Sequence, residues 1–203
     1  QGQSANDSFT VQVTDGSATK SVNAVFAITG ANDTPTLTAG VQSVQLVEAG
    51  GIANDTSGTA SATIALTKGD VDGTAIYDTD YLSSNGWETT DDGVTYTKAG
   101  TYGVATLTVG TGVVSYALDD SNSATQALTQ GQSANDSFTV QVTDGSATKS
   151  VNAVFAITGT NDAPVIAAST IQFQQGQAAV ANLFNIQNAS SDVDGLVSEI
   201  TNY

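Results

Sequence analysis

The feature that most constrains this chain is self-repetition. Residues 1–30 (QGQSANDSFTVQVTDGSATKSVNAVFAITG) recur letter for letter at 130–159. The positions that follow match in outline, Ala31-Asn32-Asp33-Thr34-Pro35 against Thr160-Asn161-Asp162-Ala163-Pro164. A spacing of 129 residues, from 1 to 130, is that of a tandem array of one domain. Arrays set length or valency, whereas catalysis needs only one good site, so repetition points to an architectural protein and not an enzyme. It also sets the frame. Residues 1–33 read as the C-terminal strands of a preceding repeat, 34–162 as a complete repeat, and 163–203 as the start of a different domain. The change of domain type follows from spacing: 35 residues separate Pro35 from Asp70 but 28 separate Pro164 from Asp192, and the intervening letters do not match.

A repeat of this size buries a core of its own. The 20 acidic residues face four lysines, with no arginine and no histidine, for a net charge of −16. Such a surface has no basic footprint for phosphates, which excludes nucleic acid and disfavours anionic membranes. Self-repulsion of this size pushes the compact state apart unless cations neutralise it. There is no cysteine, so disulfides and thiolate metal sites are excluded. No apolar run reaches the ~18 residues of a membrane helix, so membrane insertion is not expected. Without His or Cys, catalysis would fall to carboxylate pairs such as Asp91-Asp92 or Asp119-Asp120, which read better as turns.

The repeat alternates with a period of two. Phe9, Val11 and Val13 alternate with Thr10, Gln12 and Thr14, and after Asp15-Gly16-Ser17 the pattern resumes with Val22, Ala24, Phe26 and Ile28. This is a hairpin with one buried face, recurring at 137–158. Further strands are expected near 43–47, 59–67, 94–98, 102–109 and 112–118, separated by Gly- and Asp-rich turns. The density of short strands predicts an all-β fold, a Greek-key β-sandwich of seven or more strands. The best helical candidate is 121–130, and 74–93 reads as an elaborated loop holding Trp87. Trp87, Tyr96, Tyr102 and Tyr116 form either a carbohydrate platform or, as favoured here, the core beneath that loop.

Acids cluster in loops: the linkers (Asn32-Asp33, Asn161-Asp162), the Asp70-Val71-Asp72-Gly73 loop with its echo Asp192-Val193-Asp194-Gly195, the hairpin turns at Asp15 and Asp144, and a far-end group of Glu48, Asp55, Asp119-Asp120 and Asp7 or Asp136. Alternating Asp with Gly lets two carboxylates and a carbonyl face one point, which suits the six to eight hard oxygens of calcium. The D-x-D-G loop resembles the front half of a helical calcium-binding loop without its closing Glu or its helices. In a sandwich entered from the top, the second–third loop and the last hairpin turn lie beside the incoming linker, which gathers Asn32, Asp33, Asp70, Asp72 and Asp144. The base of the preceding unit approaches through Asp7. The same arrangement is expected one unit later with Asp136, Asn161, Asp162, Asp192 and Asp194. Turn-favouring Asp alone would account for single loops, but acids converging with so few cations repel one another unless a metal lies between them.

The run 98–164 closely resembles the VCBS-type repeats of giant bacterial adhesins, large RTX and other type I-secreted surface proteins. The resembling parts are GTYG…TLTV…G…YAL, the LD-x-SN turn, the DSFTVQVTDG hairpin and the terminal GTNDAP. Residues 163–203 more loosely resemble the start of a cadherin-like domain, through SSDVDG. The resemblance implies tandem immunoglobulin-like and cadherin-like sandwiches in a stalk at the bacterial cell surface, stiffened by calcium and partnered mainly by neighbouring domains of the same chain. Two alternatives stay open: a carbohydrate-binding module built on Trp87, and a self-assembling extracellular filament whose incomplete hairpin pairs with other copies.

Overall fold

Apolar–polar alternation makes strands of most of the expected runs. The computed structural model describes residues 2–50, 57–166, 190–192 and 194. In chain order the described strands are β1 (Ser4–Thr14), β2 (Thr19–Thr29), β3 (Thr36–Ala39), β4 (Leu46–Val47), β5 (Ser61–Gly69), β6 (Ile76–Tyr77), β7 (Thr95–Ala99), β8 (Gly103–Thr108), β9 (Val113–Leu118), β10 (Ser133–Thr143), β11 (Thr148–Thr158), β12 (Val165–Ile166) and β13 (Ser190–Ser191). Two short helices interrupt them, α1 (Thr79–Ser84) and α2 (Ser123–Gln126). The fold is all-β, as the periodicity predicts.

Residues 34–162 build two facing sheets, one in the order β3-β5-β9-β8-β7 and the other β4-β11-β10-β6. Pairing is antiparallel except for β4 with β11, which run parallel with Leu46 opposite Ile157 and Val47 opposite Thr158. Alternate residues turn inward from both sheets: Ala62, Ile64 and Leu66 of β5, Val114, Tyr116 and Leu118 of β9, Phe138, Val140 and Val142 of β10, Ala153, Phe155 and Ile157 of β11. They form one core cluster. Its centre is aromatic, with Tyr116 stacked on Phe155 at 4.9 Å and Phe138 contacting Tyr116 at 5.8 Å and Trp87 at 6.0 Å. Full burial of side chains this size contributes about 1.5–3 kcal/mol each.

The stretch 74–93 is more ordered than its composition predicts. It contains β6 and α1, whose first turn is capped by the Asp78 carboxylate accepting from the Tyr81 amide and whose Leu82 is buried. A helix of six residues is too short to show a period in sequence. The helical candidate at 121–130 holds the single turn of α2, capped by Asn122 accepting from the Ala124 amide. Trp87 is 2% exposed, and its indole N–H donates to the Thr139 carbonyl at 3.1 Å. Of the four aromatics of the core reading, Trp87, Tyr96 and Tyr116 are buried and Tyr102 packs partly buried against the same core.

β1 and β2 form a separate two-stranded sheet, paired in the same register as β10 and β11. Among the described residues no further strand pairs with this hairpin. Within 163–203 only β12 and β13 are described, paired through Val165 with Ser191; the rest of the expected third domain lies outside the described residues.

Candidate metal centre

The linker residues belong to no strand, so their amides need acceptors outside a ladder, and carboxylates of the following loop supply them. At the first linker the Asp33 amide donates to Asp72 Oδ1 at 3.1 Å, and the Asp72 amide donates to Asp70 Oδ1 at 3.2 Å. Asn32 Nδ2 donates to the Asp33 carbonyl at 2.8 Å and to Asp144 Oδ2 at 2.9 Å. Asp144 sits in the β10–β11 turn, where Gly145 takes φ +91° and the carboxylate also accepts from the Ser146 and Ala147 amides. The structure therefore brings Asn32, Asp33, Asp70, Asp72 and Asp144 together, from the linker, the β5–β6 loop and the last hairpin turn.

The second linker repeats this pattern across a change of domain. The Asp162 amide donates to Asp194 Oδ2 at 3.1 Å, the Asp194 amide to Asp192 Oδ1 at 3.4 Å, and Asn161 Nδ2 to the Asp162 carbonyl at 2.7 Å. Here the group is enclosed. Asp162 is 4% exposed, with both carboxylate oxygens buried and without a hydrogen-bond partner; Asp194 Oδ1 is in the same condition. At the first linker the one such atom is Asp70 Oδ2.

Two further acids join the second group, and neither stood among the expected ligands. Glu48 follows β4 and is fully buried. The β4–β11 pairing carries it to the second linker, where its amide donates to the Thr158 carbonyl and its Oε2 accepts from the Thr160 amide at 3.2 Å. Asp120 accepts from the Ala49 amide at 3.4 Å. The signal available in sequence was an acid directly after a short apolar strand, Leu46-Val47-Glu48. The long-range parallel pairing that gives it meaning is invisible there.

Electrostatics separates the two groups. At the first, the Asp33 amide holds Asp72 below the usual carboxylate range, and the Ala147 amide with Asn32 does the same for Asp144. At the second, burial pushes Glu48 up to about 7, partly countered by the Thr160 amide and reinforced by the charges of Asp162, Asp120 and Asp194. Burial also raises Asp162, with Asp194, Asp192 and Asp120 adding repulsion. Amide donors thus prevail at Asp72 and Asp144 of the first group, while at the second burial and mutual repulsion outweigh them at Glu48 and Asp162.

Asp136 is not brought to either group. It is 5% exposed inside the sandwich, and its carboxylate accepts from the Thr101 amide at 2.9 Å, the Tyr102 amide at 3.0 Å and the Tyr116 hydroxyl at 2.6 Å. Three donors occupy it as a structural clamp. Gly100 makes the clamp possible, since a Cβ there would land on Asp136 Oδ2. The same hydrogen bond, with burial as the larger cause, drives the Tyr116 phenol pKa far upward. Asp7, its counterpart, lies opposite Phe26 on the open hairpin. The base of the unit is represented at the linker by Glu48 and Asp120 and not by Asp136. Asp55 lies outside the described residues.

Asp91 and Asp119 are turn staples. Asp91 accepts from the Thr95 amide and hydroxyl and from Thr89, and Asp119 from the Ser121 amide and hydroxyl; these bonds lower both pKa values.

Among the described residues no three acidic side chains already stand in ligand geometry around one point. The donor set nevertheless fits a hard cation: all oxygen, with orphaned buried atoms on Asp162 and Asp194. Among the described residues no helix is long and apolar enough to cross a membrane. Searched against protein-family models and curated proteins, the chain finds no match in either.

Proposed function

We propose that this chain is a stalk segment of a large bacterial surface adhesin. Its sandwiches act as spacers and calcium at the linkers restricts hinge motion. The observation that carries this reading is the buried carboxylate of Asp162, whose two oxygens have no hydrogen-bond partner and which feels the charges of Asp194, Asp192 and Asp120. Leaving buried charges uncompensated is costly, and a divalent ion supplies the missing compensation. When bound, calcium would draw oxygens from two domains to one centre. On one side stand Glu48, Asp120 and Asp162, and on the other Asp192 and Asp194; at the first linker the holders are Asn32, Asp33, Asp70, Asp72 and Asp144. This chain's own contribution is to fix those side chains through the linker amides.

The strand orders support a finer reading of the fold. The order β3-β5-β9-β8 facing β11-β10-β6 follows the two sheets of an immunoglobulin-like domain, with β4 switching sheets to run parallel beside β11 and β7 added at an edge. Together with the resemblance of 98–164, it favours a VCBS-type repeat, type I secretion and an extracellular location. The glycan-binding alternative loses its platform, because Trp87 and Tyr116 are buried.

The test is a calcium titration followed by thermal unfolding and small-angle scattering. A ligand at a hundred times its Kd stabilises by about 2.7 kcal/mol, so calcium should raise Tm by several degrees and narrow the distribution of end-to-end lengths. Asp162→Asn should remove the share of both effects that the second linker contributes and leave that of the first. Equal melting and equal scattering with calcium and with chelator would refute the reading.

A further inference from the structure

We propose that the unit 34–162 carries tension between its two linkers, and that the parallel pair of β4 with β11 is the lock that resists it. The two linkers meet the unit at opposite ends of β11. At the entry, Asn32 binds the Asp144 carboxylate in the turn before β11, and the Asp33 amide binds Asp72. At the exit, β11 runs directly into the second linker. A pull on the linkers therefore acts along β11. The lock goes beyond the calcium reading and rests on the stalk reading only for the source of the load.

Direction decides what such a pull does to a strand pair. β4 is reached from the entry linker, β11 leads to the exit linker, and the two run parallel. Tension drags them in opposite senses along a common axis. Hydrogen bonds cross from strand to strand, so every rung is sheared at once, whereas a pair opened from one end loses its rungs singly. Leu46 stands opposite Ile157 and Val47 opposite Thr158, and the Glu48 amide donates to the Thr158 carbonyl at 3.0 Å. Side chains lengthen this short ladder. The Gln42 side-chain amide acts as a strand peptide would: its Oε1 accepts from the Ala156 amide at 2.7 Å and its Nε2 donates to the Ala156 carbonyl at 3.1 Å. Gln45 Nε2 donates to the same carbonyl at 3.0 Å. The other edge of β4 is held by Thr59, which accepts from the Val47 amide at 3.2 Å and donates to the Val47 carbonyl at 2.7 Å. Leu46 and Ile157 are buried in the core, so sliding also drags apolar side chains out of a packed site. β3 feels the pull first, but its four residues lie on β5. Once β3 yields, β4 on β11 is the remaining direct link between the incoming and outgoing chain.

The chain has no cysteine, so introduced thiols are unique attachment points. The full chain is pulled in chelator through DNA handles on Thr34→Cys and Ala163→Cys, and unfolding of the unit is recognised by a length gain of about 400 Å. Gln42→Ala combined with Gln45→Ala removes the side-chain rungs and should speed unfolding about tenfold at a fixed force. Leu107→Ala opens a cavity under β8, away from the pair. It should lower the urea midpoint more than the glutamine variant does. Its forced unfolding rate should stay within about twofold of the parent, because the core is still intact when the lock fails. An unchanged rate in the glutamine variant would overturn the proposal. So would forced rates that rank the variants by their urea stability, since the whole core would then bear the load. Chelator keeps calcium out of the measurement, so a failed lock and a failed calcium reading are told apart.

Discussion

The two hairpins have the same thirty-residue sequence and opposite environments. Phe138 is 1% exposed where Phe9 is 57% exposed, and Phe155 is fully buried where Phe26 is 57% exposed. Backbone register, the turn with its Asp accepting two amides, and the Thr–Asn side-chain bond (Thr10 to Asn23, Thr139 to Asn152) are the same in both. Local structure is therefore written in the hairpin itself, and burial is conferred by residues far away in the chain. The contrast extends to the linkers. Among the described residues no counterpart of Glu48 or Asp120 stands beside the hairpin followed by Asp33, and Asp33 is exposed; the hairpin followed by Asp162 has both acids, and Asp162 is buried.

Paired substitutions at equivalent positions measure what the environment adds. The largest difference is expected for Phe138→Ala against Phe9→Ala. Removing a fully packed ring costs about 3–5 kcal/mol, whereas the exposed ring should cost within about 0.5 kcal/mol, both read by urea unfolding. Equal costs would mean that the open hairpin is covered in solution. Next comes Asp136→Asn against Asp7→Asn. The amide turns a donor toward the Thr101 and Tyr102 amides or the Tyr116 hydroxyl, leaving buried donors unsatisfied at about 1–3 kcal/mol, with no measurable loss at Asp7.

A smaller effect is expected from pH, and only at the enclosed linker. Glu48 is raised from 4.5 to about 7, so the folded chain holds its proton more tightly than the unfolded one. Its contribution to stability is complete below pH 4.5 and is lost as pH rises toward about 7. In chelator, Tm should fall across that window, and Glu48→Gln should flatten the fall; an unchanged profile would show that Glu48 titrates normally.

Much of the sandwich was legible because period-two alternation reports directly which face is buried. β5, β7, β8, β9 and both long hairpins lie close to the expected runs. β3 was not anticipated: four residues give alternation little room. The first linker group was legible in part, since topology alone places the β5–β6 loop and the last turn beside the entering chain. Asp136 was misplaced for an instructive reason. Its sequence context is identical to that of Asp7, and only long-range contacts with Thr101, Tyr102 and Tyr116 separate a clamp from a free carboxylate. Glu48 was hidden by the same limit, its partner Thr160 lying 112 residues away.

Identical hairpins invite mistaken exchange, because β1–β2 fits the cradle that β10–β11 occupies. Chain length forbids this within one unit. In that cradle Thr29 would take the place of Thr158 beside Glu48, yet Thr36 must stay at the opposite end beside Gly69. A strand of eleven residues separates those ends by about 36 Å, while the chain from Thr29 to Thr36 reaches at most about 25 Å. The tether is too short for self-capture, so each copy of the text is steered by its leash to one address.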